Sequence, residues 1–131
     1  MQVGYIDSNG VKHEITGVVK SEVNYSTSET IVGTWIDDKP IYKKTVDCGA
    51  LPNNSNTTTS HHIANIDRVV KIECIAERTS DKVALVLPFV NASQVVAFIS
   101  TTTSDVVIVT NSNLSSYDKT YTTIYYTKST D

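Results

Sequence analysis

The feature that most constrains this chain is its large number of β-branched side chains, set in short runs where apolar and polar residues alternate. Val, Ile and Thr contribute 17, 12 and 18 of its 131 residues. These side chains lose rotamer freedom in a helix but pack well on the pleated surface of a sheet. The chain is therefore predicted to be all-β, and its length suits a single domain.

The alternating runs, separated by turn residues, predict about eight strands. They cover residues 30–37, 39–47, 57–61, 68–77, 82–90, 94–101, 105–112 and 119–129. Before them, Asn9-Gly10 lies between two further alternating runs, which predicts a β-hairpin because both residues tolerate positive φ. Strands at this spacing, with no helical periodicity between them, predict a single antiparallel β-sandwich of jelly-roll-like or related Greek-key topology. Residues 1–24 are assigned to the N-terminal hairpin segment and residues 25–131 to the sandwich.

A polar cluster, Asp37-Asp38-Lys39-Pro40, separates the first two strands of the predicted sandwich. Two carboxylates can serve acid–base catalysis, but consecutive residues at a hairpin tip lack the burial that such a pair requires. Short Asp side chains favour tight turns, and Pro is tolerated at the entry to a strand. The cluster is interpreted as the corner of a β-hairpin.

Two strands depart from alternation, because residues 95–99 and 106–109 are apolar at every position. Such a run indicates that both faces of the strand are covered. A two-layer sandwich covers one face of each sheet, so either a long loop or a second copy of the chain must cover the other. The candidate residues for an interface between copies are Val96, Phe98, Val107 and Ile108.

Charge and hydropathy exclude two classes of partner. The net charge of −3 lacks the basic surface expected of a nucleic-acid-binding protein. No run of 18 apolar residues is present in the sequence, which predicts that the chain does not insert into a membrane. The first residues carry neither the basic nor the apolar region of a secretory signal, so we expect the protein to act where it is made or to leave by cell lysis.

The sequence has no motif for a catalytic nucleophile, a phosphate loop or a zinc site, which predicts no enzyme, no catalytic residue, no metal and no cofactor. Alternation places Cys74 on the apolar face of its strand, as a small buried hydrophobic residue. No disulfide is expected between Cys48 and Cys74. His61 and His62 are adjacent, and adjacent strand residues point to opposite faces, which disfavours their binding one metal ion.

Tyrosine is unusually frequent, with seven residues against two Phe. Its ring combines rigid apolar surface with a polar hydroxyl, which suits recognition surfaces and sugar binding. In the last strand, alternation assigns Thr122, Ile124 and Tyr126 to the core and leaves the residues between them exposed: Tyr121, Thr123 and Tyr125. The candidate ligand-binding residues, beside a loop rich in hydroxyl and amide groups, are Tyr117, Asp118, Tyr121 and Tyr125. The alternative is that these tyrosines only cap the edges of the sheets.

Three long segments of the sequence resemble a module that recurs in bacteriophage structural proteins. They are YSTSETIVGTWIDDKPIYKKTVD, ALPNNSNTTTSHHIANIDRVVKIE and SSYDKTYTTIYYTKSTD, and the resemblance extends over residues 25–131. The module occurs in tail-fibre, baseplate, head-fibre and minor structural proteins, in a form close to YSTxExxVGxWIDGKPxYRKT and ending in YTKTTD. Asp38 stands where that pattern has Gly, and Tyr125 replaces an acidic residue.

The resemblance implies a virion structural protein at the tip of a fibre or appendage, which contacts a receptor or glycan of the host cell surface. It also implies that the protein forms a homotrimer, contacts other virion proteins and attaches to the particle through residues 1–24. No catalytic residue is associated with the module. The alternative is a decoration or fibre-capping protein that stabilises the particle and binds nothing outside it. Either protein would be made in the cytoplasm of the bacterial host and released by lysis as part of the virion.

Overall fold

Strands account for the regular secondary structure of the computed structural model, which describes residues 3–15, 24–91 and 94–131. In chain order they are β1 Val3–Ile6, β2 Lys12–Ile15, β3 Thr30–Thr34, β4 Pro40–Asp47, β5 Asn56–Ser60, β6 Ile66–Arg78, β7 Val83–Leu87, β8 Phe89–Val90, β9 Val95–Thr101, β10 Asp105–Thr110 and β11 Lys119–Lys128. No helix occurs in this part of the chain. The all-β class predicted from the β-branched content is confirmed.

Nine of the described strands form two antiparallel sheets, and β1 and β2 pair separately as a hairpin. One sheet has the strand order β5-β10-β9-β8, and the other has the order β3-β4-β11-β6-β7. The predicted β-sandwich is confirmed, with nine strands instead of about eight. The additional strand arises because residues 82–90, predicted as one strand, are interrupted at Pro88, which has no N–H to donate to a ladder. As a result, β7 belongs to the five-stranded sheet and β8 to the four-stranded sheet.

The core lies between the two sheets, and β11 is central to it. This strand pairs with β4 on one side and with β6 on the other. As predicted, Thr122, Ile124 and Tyr126 of this strand are fully buried. From the facing sheet, the core cluster receives Ala97, Val106 and Ile108.

The polar cluster between β3 and β4 forms a tight hairpin turn. Trp35 N donates to Lys39 O at 2.8 Å, and Asp37 Oδ1 accepts a hydrogen bond from Lys39 N at 3.1 Å. Asp38 adopts a φ of 66°, so the Asp takes the left-handed conformation for which the related pattern has Gly. At the other predicted hairpin, Gly10 has a φ of 77° between β1 and β2. Residues 16–23 of the N-terminal segment lie outside the described residues.

The four candidate interface residues do not share one surface. Ile108 is 1% exposed and belongs to the core cluster, so its assignment to an interface between copies is wrong. Val96 is 6% exposed, so little of its surface is available for contact with a second copy. Phe98 is 42% exposed and Val107 half-buried, and alternation places both opposite the core-facing Ala97 and Ile108. The outer face of the four-stranded sheet therefore carries these two apolar side chains.

Candidate functional site

A groove of about 700 Å³ lies on the outer face of the five-stranded sheet, and we call it the outer groove. Its floor follows from the register, in which Thr123 of β11 lies opposite both Thr45 of β4 and Glu73 of β6. Residues opposite each other share a face, and Thr123 alternates with the core residues Thr122 and Ile124, so this row faces away from the core. Thr45 Oγ1 and Thr123 Oγ1 lie 2.9 Å apart and form a hydrogen bond.

One wall of the outer groove is residues 25–27, in the segment that leads into β3. This segment continues beside β4, where Thr45 N donates to Ser26 O at 2.9 Å. The floor residues Thr45 and Thr123 are only 8% and 5% exposed. The prediction that Thr123 lies exposed at the surface is therefore wrong, because it points outward into a groove that the neighbouring segment encloses.

Lys43 contacts Tyr25, the first residue of this wall. Lys43 Nζ lies 3.8 Å from the centroid of the Tyr25 ring and donates a hydrogen bond to Asn24 O at 2.7 Å. The Lys43 side chain is 5% exposed, and a cation in contact with an aromatic face gains more when solvent is excluded. The contact fixes the Tyr25 ring beside the groove.

The opposite side of the outer groove is apolar. Register places Ile75 of β6 opposite both Tyr121 of β11 and Val86 of β7. These side chains are 47%, 44% and 63% exposed, respectively. Together they form a continuous apolar strip across three strands, next to the hydroxyl groups of the floor.

Two of the four predicted ligand-binding residues lie on this face of the sheet, and one of them lines the outer groove. Tyr121 lines the outer groove, and Tyr125 is on the same face of β11, where its ring centroid lies 5.7 Å from Lys43 Nζ and 5.3 Å from Lys71 Nζ. The two residues are four apart along the strand, which places their Cα atoms about 13 Å apart. Partial burial raises the pKa of the Tyr125 hydroxyl.

The other two predicted ligand-binding residues lie elsewhere. Tyr117 is 9% exposed and belongs to the core cluster, so its assignment to an exposed binding surface is wrong. Tyr117 lies just before β11 and outside any strand, so the alternation of strand residues could not predict its burial. Asp118 is exposed, but its carboxylate accepts hydrogen bonds from Thr79 Oγ1 at 2.5 Å and Thr79 N at 2.8 Å. These bonds lower the pKa of Asp118 and indicate a structural role in joining two loops.

The adjacent histidines have different environments. His61 is fully buried, where its Nδ1 accepts a hydrogen bond from Ile63 N at 3.0 Å and its Nε2 lies 3.0 Å from Thr102 O. An accepting Nδ1 places the proton on Nε2, which then donates to the carbonyl. His62 is exposed. No group of three or more His, Cys, Asp or Glu side chains suited to a metal ion occurs among the described residues.

The two cysteines lie on either side of Thr122. Thr122 Oγ1 is 3.5 Å from Cys48 Sγ and 3.4 Å from Cys74 Sγ, and both cysteines are free thiols. Burial raises the pKa of Cys74 to about 11 and also raises the pKa of Cys48. Since the thiolate is the reactive form, neither side chain is suited to nucleophilic chemistry.

Comparison of the chain with protein-family models, with curated proteins and with solved structures gave no match. Within the residues that the structure describes, no helix is long and apolar enough to cross a membrane. The outer groove is thus the feature on which a functional proposal can be built from the molecule itself.

Proposed function

We propose that this protein is a non-enzymatic structural module of a bacteriophage virion that binds a host-surface glycan in the outer groove. The observation that carries the proposal is the combination of an exposed aromatic ring, paired hydroxyls and a carboxylate in one groove. The resemblance of residues 25–131 to phage fibre and head-fibre modules supports the assignment to a virion.

Each part of the outer groove matches one part of a sugar. The ring of Tyr121 offers a flat apolar surface on which the C–H face of a pyranose stacks. The hydroxyls of Thr45 and Thr123 donate and accept hydrogen bonds, and the Glu73 carboxylate accepts them from sugar hydroxyls. Lys71 Nζ lies 2.5 Å from Glu73 Oε1 and orients that carboxylate. The two tyrosines of β11, whose Cα atoms lie about 13 Å apart on one face, favour a linear oligosaccharide over a single sugar.

A glycan array and a host-cell binding assay test the proposal, with Tyr121→Ala as the variant. We expect the variant to lose binding by about tenfold or more, as a lost stacking contact of about 1.4 kcal/mol implies. Phe98→Ala is the matched control, because Phe98 is 42% exposed and Tyr121 is 44% exposed, on different sheets. Absence of any retained glycan, or an equal loss in both variants, would refute the proposal.

A decoration or fibre-capping protein is the second candidate, and the outer face of the four-stranded sheet favours it. Phe98 and Val107 leave apolar surface there that suits contact with other copies or with virion proteins. Three-fold packing through this face would give a mass near three times 14.4 kDa by light scattering. Under this second proposal, Phe98→Ala weakens assembly, whereas Tyr121→Ala changes nothing.

A further inference from the structure

A second, smaller pocket of about 270 Å³ adjoins the outer groove, and we call it the edge pocket. It is lined by residues 44–47 of β4 and by residues 59–62, which end β5 and follow it. Thr27 and Thr45 line both the edge pocket and the outer groove. The two cavities are therefore neighbours that share a border at these two residues.

The edge pocket lies where β4 extends beyond β3. The pairing of these strands stops at Thr30 and Lys43, whereas β4 continues to Asp47. Thr45 N donates to Ser26 O at 2.9 Å, on the side away from β11, and alternation points the N–H and C=O of Asp47 the same way. Across the pocket lies β5, a border strand of the other sheet. The last residues of β4 thus form one side of a cleft at the edge of the sandwich.

The strand register connects the edge pocket to the exposed aromatic ring of the outer groove. Asp47 lies directly opposite Tyr121 in the pairing of β4 with β11. Residues opposite each other in an antiparallel pair share a face, with Cβ atoms about 5 Å apart. Asp47 lines the edge pocket, and Tyr121 lines the outer groove. A sugar stacked on Tyr121 would therefore carry an attached unit beside Asp47, at the edge pocket.

His62 has an uncommon backbone conformation at this pocket. Its φ is 52°, in the left-handed region that residues other than Gly seldom adopt. Ser60 Oγ accepts a hydrogen bond from His62 N at 3.3 Å and lies 3.3 Å from His62 Nδ1, and Lys44 Nζ donates to His62 O at 3.3 Å. Such conformations cost energy and are concentrated at ligand-binding sites. The contacts fix an exposed imidazole at the pocket, where it can form a hydrogen bond with a sugar hydroxyl.

We propose that the edge pocket binds a neutral sugar unit attached to the unit that stacks on Tyr121. This subsite rests on the proposed function of the outer groove. Asp47 Oδ1 accepts a hydrogen bond from Gly49 N at 3.0 Å, which fixes a carboxylate that can accept from sugar hydroxyls. The ammonium of Lys44 and the carboxylate of Asp47 balance each other in charge, which suits an uncharged unit better than an acidic one.

A glycan array that carries neutral and uronic-acid oligosaccharides of one to five units tests the subsite in the full chain. The wild type should bind neutral members of two or more units about fivefold more tightly than single sugars. His62→Gly removes the imidazole and keeps the positive φ, which Gly adopts readily. We expect it to lose about fivefold in affinity for the longer members and nothing for single sugars.

The matched control is Asn65→Gly, because Asn65 also has a positive φ, of 60°, and is exposed outside the lining of both cavities. It should bind as the wild type does. Asp47→Asn keeps an oxygen that accepts from Gly49 N but removes the negative charge. We expect this variant to bind the uronic-acid members more tightly than the wild type does. Circular dichroism establishes that each variant is folded.

The subsite and the proposed function fail in different ways. Loss of binding in Tyr121→Ala, together with wild-type binding in both His62→Gly and Asp47→Asn, would overturn the subsite and leave the proposed function standing. Equal losses in His62→Gly and Asn65→Gly would also overturn the subsite. If His62→Gly does not fold, an unchanged preference of Asp47→Asn between neutral and acidic members would overturn it. Absence of any retained glycan would overturn both proposals.

Discussion

Replacing Glu29 with Ala should lower the free energy of unfolding at neutral pH by about 2 to 3 kcal/mol. The Glu29 carboxylate accepts a hydrogen bond from the hydroxyl of the fully buried Tyr126, and Lys128 Nζ donates to its other oxygen at 2.5 Å. Loss of the acceptor leaves a buried hydroxyl without its partner, which costs about 1–3 kcal/mol. The Lys128 and Glu29 side chains are 20% and 29% exposed, so their ion pair adds less than about 1 kcal/mol.

The loss of stability caused by Glu29→Ala should depend on pH in a defined direction. Burial raises the pKa of Glu29, but the hydrogen bonds from Lys128 and Tyr126 and the charge of Lys128 outweigh it and hold the pKa below its ordinary value. A carboxyl whose pKa is lower in the folded than in the unfolded state stabilises the fold above the unfolded pKa. That contribution is lost as the pH falls below the ordinary Glu range and through the lower pKa of the folded state. The difference between the wild type and Glu29→Ala should therefore shrink on acidification.

Urea denaturation at pH 7 and near pH 3.5 measures both effects. Glu77→Ala is the control, because Glu77 lies 3.6 Å from Lys82 in an exposed pair, and such pairs contribute little. Tyr126→Phe removes the hydroxyl and leaves the ion pair, so its effect should depend less on pH. Equal losses for Glu29→Ala at both pH values, or an equal loss in the Glu77 control, would refute the reasoning.

Three further predictions concern buried groups and the sheet faces. Cys48 and Cys74 should resist a thiol reagent in the native protein and titrate as two thiols in denaturant without reductant; a disulfide would contradict this. Ile108→Asp should abolish the β spectrum in circular dichroism, whereas Val107→Asp should keep that spectrum and reduce the assembly mass in light scattering. Equal effects of the two substitutions would contradict the assigned faces. His61→Ala should lower the free energy of unfolding by about 2 kcal/mol or more in urea, because Thr102 O and Ile63 N lose their buried partner.

The strands and turns were predictable because their signals are local. The Asn9-Gly10 and Asp37-Asp38 corners fall where the sequence places them, and the core alternation of β11 follows from a period of two residues. The break in the strand at Pro88 could be predicted, because proline has no N–H to donate to a β-ladder. The assignment of β7 and β8 to different sheets could not be predicted, since it depends on how strands distant in sequence pair.

The outer groove was harder to predict, because its wall and floor come from segments far apart in sequence. Residues 25–27 form a polar stretch before the first predicted strand, and nothing local shows that they enclose Thr123. The sequence does carry a signal at Ile75, because this apolar residue lies between Glu73 and Glu77 on the outer face of β6. An isolated apolar side chain on a polar face, opposite Tyr121, indicates a site that faces outward.

The position of β11 between β4 and β6 has a consequence for the order of folding. Hydrogen-bonded partners across this strand are distant in sequence: Thr45 and Thr123 are 78 residues apart, and Cys48 and Thr122 are 74 apart. The β3–β4 and β6–β7 hairpins can form as soon as they leave the ribosome, but they remain unjoined until residues 119–128 emerge between them. Folding that depends on such non-local pairings is slow, on the order of milliseconds to seconds. Until then β4 and β6 each expose an unpaired edge, which leaves the nascent chain open to pairing with other copies on the same polysome.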